Sequence, residues 1–172
     1  DTLTIANTAP TAPEISVDSN TTTTCSGLSF DGVNDYIEVA KSSDFTYGGD
    51  LTVETWLKWD GTTSATYQIL YNHGWSPDCA YRMHILRSGI LQVSTPCSGG
   101  PSTFDSSSRL VPGTWQHLAL VRSESSGWLI YLDGTRVGSY GAEAPLDHSD
   151  EIMSIGSVSA SSCTSCPTDY AF

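Results

Sequence analysis

From Leu28 onward, short apolar or alternating runs recur between turn signals, and no segment carries a sustained apolar stripe at helical spacing. Candidate strands lie at Gly27 to Phe30, Tyr36 to Val39, Leu51 to Trp59, Tyr67 to Asn72, Tyr81 to Leu86, Ile90 to Thr95, Trp115 to Arg122, Trp128 to Leu132, Thr135 to Tyr140 and Ser154 to Ser157. Between them stand Asp31-Gly32, Gly48-Gly49, Asp60-Gly61, Ser88-Gly89, Pro112-Gly113 and Asp133-Gly134, dipeptides that supply the backbone angles of tight turns. Asp133-Gly134, between Leu129-Ile130-Tyr131-Leu132 and Thr135-Arg136-Val137, is the strongest hairpin signal. Short strands without helices predict an all-β sandwich of two antiparallel sheets.

The pattern changes before residue 25. Asp1 to about Thr24 is built from Thr, Ala, Pro, Asn and Ser and cannot bury enough apolar surface to fold alone. The chain therefore reads as an extended arm over 1–24 and a sandwich over 25–172. Leu3 and Ile5 alternate with Thr2, Thr4 and Ala6, Ile15 and Val17 alternate with Glu14 and Ser16, and Pro10 and Pro13 interrupt between them. Two short extended segments result.

Composition narrows the partners. Nineteen acidic against seven basic side chains give a net charge of −12 over 172 residues, which makes contact with nucleic acid or an anionic membrane unfavourable. The same acidic surface is a reservoir of hard oxygen ligands, so calcium is the cofactor to consider. No run approaches the ~20 apolar residues of a membrane helix, so no membrane insertion is expected. The opening at Asp1 without a methionine reads as a mature or trimmed product.

Five cysteines, Cys25, Cys79, Cys97, Cys163 and Cys166, sit among Ser, Thr, Gly and Pro, as loop cystines do in an oxidising compartment. A Cys79–Cys97 bridge would staple the mouth of the region Tyr81 to Thr95, and Cys25 could join Cys163 or Cys166. One thiol is then left over, so an intermolecular bond stays open. The pair Cys163 and Cys166 lacks the matching second pair that zinc needs. Asn20-Thr21-Thr22 is an N-glycosylation sequon, and Thr21, Thr22, Thr23 and Thr24 form a run that accepts O-linked sugar. These features predict a secreted or cell-surface protein.

Three segments resemble a known family. Gly27-Leu28-Ser29-Phe30-Asp31-Gly32-Val33-Asn34-Asp35-Tyr36-Ile37-Glu38-Val39 is similar to the opening strand pair of concanavalin A-like, laminin G-type domains. Leu51-Thr52-Val53-Glu54-Thr55-Trp56-Leu57 resembles their next core strand, and Gly113 to Val121 followed by Leu129 to Gly134 resembles their most recognisable segment. The resemblance implies a jelly roll of two curved antiparallel sheets, and members that are mostly adhesive, sugar-binding or structural modules. It also implies a calcium site near Asp31, Asn34 and Asp35, although turn formation is their plainer role. Family members usually close with a strand of Ile-Asp-Glu-Val-Arg type beside the opening strand. Here the residues reached are Tyr170-Ala171-Phe172, so a gap at the sheet rim is expected.

Two functions follow. An uncovered rim invites strand addition, so Leu3, Ile5, Ile15 and Val17 are candidate donor side chains through which copies would join head to tail into filaments. The alternative for the arm is to fold back onto its own domain. The second function is a carbohydrate-binding or adhesion module, in which Trp75, with Tyr71 and His73, would meet sugar from the loop Tyr71 to Asp78. Trp56, Trp115 and Trp128 lie in strands and are expected in the core. No enzyme is expected. No strand carries carboxylates at alternate positions, Asp147-His148-Ser149-Asp150-Glu151 reads as a solvated turn, and His117 as a structural residue.

Overall fold

The computed structural model of the chain describes residues 3–6, 27–32, 35–42, 45, 49–61, 66–74, 81–97, 100–141 and 152–157. They form eleven strands: β1 (Leu3–Ala6), β2 (Tyr36–Val39), β3 (Leu51–Lys58), β4 (Tyr67–His73), β5 (Tyr81–Leu86), β6 (Ile90–Cys97), β7 (Gly100–Arg109), β8 (Trp115–Ser123), β9 (Gly127–Leu132), β10 (Thr135–Tyr140) and β11 (Met153–Ile155). One sheet has seven strands in the order β1-β2-β11-β4-β5-β6-β7, and the other has four in the order β10-β9-β8-β3. Every pairing is antiparallel. The two-sheet antiparallel sandwich is the predicted class.

Period-two alternation sorts each strand into a core face and an outer face. The seven-stranded sheet sends Tyr81, Met83, Ile85, Leu91 and Val93 inward, and the four-stranded sheet answers with Leu118, Leu120, Trp128 and Ile130, all buried. Fully burying one such side chain contributes roughly 1.5–3 kcal/mol. Tyr81 and Trp128 bridge the layers with ring centroids 5.3 Å apart. At one flank Phe104 of β7 stacks on Tyr140 of β10 at 5.5 Å and 13°.

The β9–β10 hairpin turns through Asp133 and Gly134, with φ of 49° and 76°. Two successive residues in the left-handed region match the right-handed twist of the flanking strands, which is why Asp-Gly signalled this turn. Asp133 is also anchored. Its carboxylate accepts hydrogen bonds from the His117 backbone N–H at 2.8 Å and from Gln116 Nε2 at 3.2 Å. These bonds, the His117 one first, hold its carboxyl below the usual carboxylate range.

Three expectations are corrected. Gly27 to Phe30 carries no strand, and β7 was not foreseen because Phe104 is the one large apolar side chain in its sequence. The third concerns the rim. Leu3 to Ala6 lies on β2 of its own chain, with Leu3 opposite Val39 and Ala6 opposite Tyr36, so the edge expected to be open is occupied in cis. Pairing satisfies the outward N–H and C=O groups of β2 that an open edge would leave bare. Ile15 and Val17 lie outside the described residues.

Candidate functional site

The seven-stranded sheet carries an unbroken polar row on its outer face. Glu38 pairs with Ser154, Ser154 with Asn72, Asn72 with Arg82, Arg82 with Ser94, and Ser94 with Thr103. The row therefore crosses six strands, from β2 to β7, one residue from each. On either side of it in sequence lie inward residues of the core, such as Tyr71 and His73 around Asn72, and Tyr81 and Met83 around Arg82.

A second row on the same face joins His84, Gln92 and Asp105. His84 Nε2 lies 2.9 Å from Gln92 Oε1, and Gln92 Nε2 donates to Asp105 Oδ1 at 2.7 Å. The Tyr67 ring meets the His84 ring edge-on at 4.8 Å. Burial lowers the His84 pKa, an effect that the Gln92 hydrogen bond partly opposes, so the neutral imidazole is favoured. The rows offer donors and acceptors close together on a rigid sheet, which is what recognition of a hydroxyl-rich ligand requires.

Exposure changes along the first row. Ser154 and Asn72 are fully buried, Glu38, Arg82 and Ser94 are half-buried, and Thr103 is exposed toward β7. Neither amide atom of Asn72 has a hydrogen-bond partner among the described residues. A buried polar group left unmatched costs about 1–3 kcal/mol, so this amide is retained against a stability penalty. Glu38 and Asp105, the carboxylates of the band, sit on strands with four others between them, roughly 24 Å apart along the sheet at ~4.8 Å per strand. A glycosidase pair needs ~5–9.5 Å.

The four-stranded sheet presents a different outer face. Trp56 and Trp115 are 64% and 55% exposed, and pairing places Trp56 opposite His117 and Lys58 opposite Trp115, so the two indoles are diagonal neighbours. The expectation that these tryptophans are core is corrected. Leu51, Val53 and Leu57 take the inward positions of β3, which turns Trp56 out, and only Trp128 of the three is buried. The Trp56 ring lies 5.4 Å from the His117 ring, and His117 Nε2 lies 3.5 Å from Glu54 Oε2.

The residues named from sequence fare unevenly. Tyr71 and His73 are buried on the core side of β4, where Tyr71 Oη lies 3.1 Å from Tyr81 Oη and His73 packs edge-on against Phe45 and Tyr81. Neither can stack on a sugar at the surface, and Trp75 lies outside the described residues. Asp31 and Asp35 do come together, but through a turn: the Asp31 backbone N–H donates to Asp35 Oδ2 at 3.0 Å. Asn34 is outside the described residues, among which no cluster of three or more His, Cys, Asp or Glu is placed to hold a metal. Cys97 ends β6, while Cys25, Cys79, Cys163, Cys166 and the glycosylation candidates Asn20, Thr21, Thr22, Thr23 and Thr24 lie outside the described residues.

Both outer faces escaped the sequence reading. The tryptophan pair was legible by counting alternate positions from Leu51 and Leu57. The polar row was not, because it depends on registers between strands as distant as Glu38 and Ser154.

Comparison with known proteins fits this architecture. A family model for the concanavalin A-like lectin/glucanases superfamily, of laminin G type, matches residues 31–166, and the chain belongs to that family. Among solved structures it is similar to domains LG4-5 of the mouse laminin alpha1 chain, with a TM-score of 0.62 and 19% identity over 83% of this chain. The chain spans 37% of that laminin structure. It is also similar to the CBM40 module of the Ruminococcus gnavus IT-sialidase, with a TM-score of 0.55 and 16% identity, covering 73% of this chain and 79% of the module. A third is the botulinum neurotoxin serotype G binding domain, with a TM-score of 0.54 and 10% identity, covering 70% of this chain and 32% of that one. No curated protein sequence matches the chain.

Proposed function

We propose that this protein is a non-catalytic extracellular adhesion module that binds glycan on the outer face of its seven-stranded sheet. The observation that carries the reading is the polar row from Glu38 to Thr103, with the unpartnered Asn72 amide buried at its middle. A sugar presents vicinal hydroxyls that both donate and accept. Ser94 and Thr103 hydroxyls, the Gln92 amide and the Arg82 guanidinium match them from the accessible part of the band, and Glu38 accepts at its far side. The wide separation of Glu38 and Asp105 supports binding without hydrolysis. The fold is one in which glycans are bound elsewhere: the similar CBM40 module has a structure bound to α2,3-sialyllactose. A glycan array probed with the chain and with Arg82→Ala tests the reading. Loss of about tenfold or more in affinity is expected in the variant, and an array without hits, or hits indifferent to Arg82, would overturn it.

A second reading, self-assembly, requires that β1 leave the place it holds in its own chain and pair in the same way with a neighbour. β1 holds its place through a four-residue ladder to β2 at the sheet edge, and residues 7–26 separate it from the next described segment. Twenty extended residues reach at most ~70 Å, far beyond the ~15 Å radius of gyration of such a domain. The same ladder can therefore form between copies, with Leu3 and Ile5 given to a neighbour, and repeated head-to-tail exchange yields filaments. Light scattering and electron micrographs of the chain with and without residues 1–9 test this. Polymers that vanish on deletion are expected; a strictly monomeric full chain, or polymers that survive deletion, ends the reading.

A further inference from the structure

The geometry points to a second binding surface on the opposite sheet, at which Trp56 and Trp115 stack against the apolar ring faces of a neutral, equatorially substituted glycan. A folded protein exposes single apolar side chains routinely, but two adjacent tryptophans more than half exposed are an unusual surface to leave in water. The base beneath them is rigid. Both lie inside regular strands whose eight-pair ladder runs without a bulge from Leu51–Arg122 to Lys58–Trp115. The start of β8 is pinned again by Gln116, which accepts from the Val111 backbone N–H at 2.7 Å and donates to Asp133.

Diagonal neighbours on paired strands stand about 7–8 Å apart at their backbones, so both indoles are within reach of one ligand. A sugar with axial hydrogens on its ring faces can pack those faces on the indoles, and its equatorial hydroxyls then point sideways. There Glu54, Lys58 and His117 provide an acceptor, a donor and a group capable of either role, with His117 steadied by Glu54 at 3.5 Å. Charge selects among occupants. A second copy would bring another −12 to the face, and a polyanion meets the same field, whereas an uncharged glycan meets neither penalty. The surface stands apart from the polar band, so it holds or fails independently of the reading given above.

The test is titration of the chain with cellohexaose, a neutral β-1,4-linked glucose oligomer, followed by calorimetry and tryptophan fluorescence. A blue shift on binding is expected, with affinity reduced about tenfold or more in Trp56→Ala and in Trp115→Ala. Circular dichroism of the variants confirms the fold. Absence of binding at millimolar oligomer, binding that survives both tryptophan variants, or a concentration-dependent dimer that Trp56→Ala abolishes would each overturn the proposal, the last in favour of a second copy.

Discussion

The two outer faces of this sandwich are built from the same alternation and end in opposite chemistry. On the seven-stranded sheet the outward positions are polar, and His84, buried, Gln92, half-buried, and Asp105, exposed, form one hydrogen-bonded line running toward the edge strand. On the four-stranded sheet two indoles, Trp56 and Trp115, stand exposed at outward positions where polar residues would be ordinary. The lesson is that burial and apolarity are separable here. Asn72 is hidden although it is polar and without a partner among the described residues, and Trp56 is open although its ring is large and mainly apolar.

The largest effect is expected from the layer the faces share. Trp128→Ala removes a fully buried indole that contacts Tyr81 across the sandwich, and should cost about 3–5 kcal/mol in urea unfolding. A cost below ~1 kcal/mol would mean the two sheets are not packed as one core. A smaller effect isolates the polar face. The His84 pKa is depressed below 6.5, by burial first, with Gln92 opposing. Between 6.5 and the folded value the unfolded chain binds a proton that the native one refuses. The stabilisation is thus complete above pH 6.5 and is lost as pH falls through the folded pKa. Unfolding midpoints measured from pH 7.5 to 5 should decline, and His84→Gln should flatten the decline. Smaller again is Asn72→Ala, which deletes an unmatched amide and leaves a small cavity; the two terms oppose, so stability should stay within about 1 kcal/mol of the parent. The smallest change is predicted for Trp56→Ala, within about 0.5 kcal/mol, because an outward side chain lost to solvent leaves the core intact.

Much of the fold was legible along the chain. Tyr36 to Val39, Tyr81 to Leu86 and Thr135 to Tyr140 are strands with the expected bounds, because each combines β-favouring residues with a turn signal at its border. The strand Gly100–Arg109 was illegible for the complementary reason: Phe104 is its one large apolar side chain, and its second buried anchor is a serine, Ser106, whose hydroxyl accepts from the Leu91 backbone N–H at 3.0 Å. The sites were harder to read than the strands. A turn-rich stretch drew attention to Tyr71 and His73, but parity within β4 turns both to the core and turns Asn72 out. Recognition surfaces on a sheet are assembled across strands, and no local window contains the register that aligns them.

The three residues Met153 to Ile155 lie between β2 and β4 and, among the described residues, link those two strands in the ladder. A ribosome must therefore deliver most of the polypeptide before the opening strand pair can dock onto the rest of its layer. Until then β4 and β2 each display a raw margin to whatever is nearby. Closure of this layer therefore waits on residues late in the chain, and pairings of such wide sequence separation form more slowly as a rule than local ones.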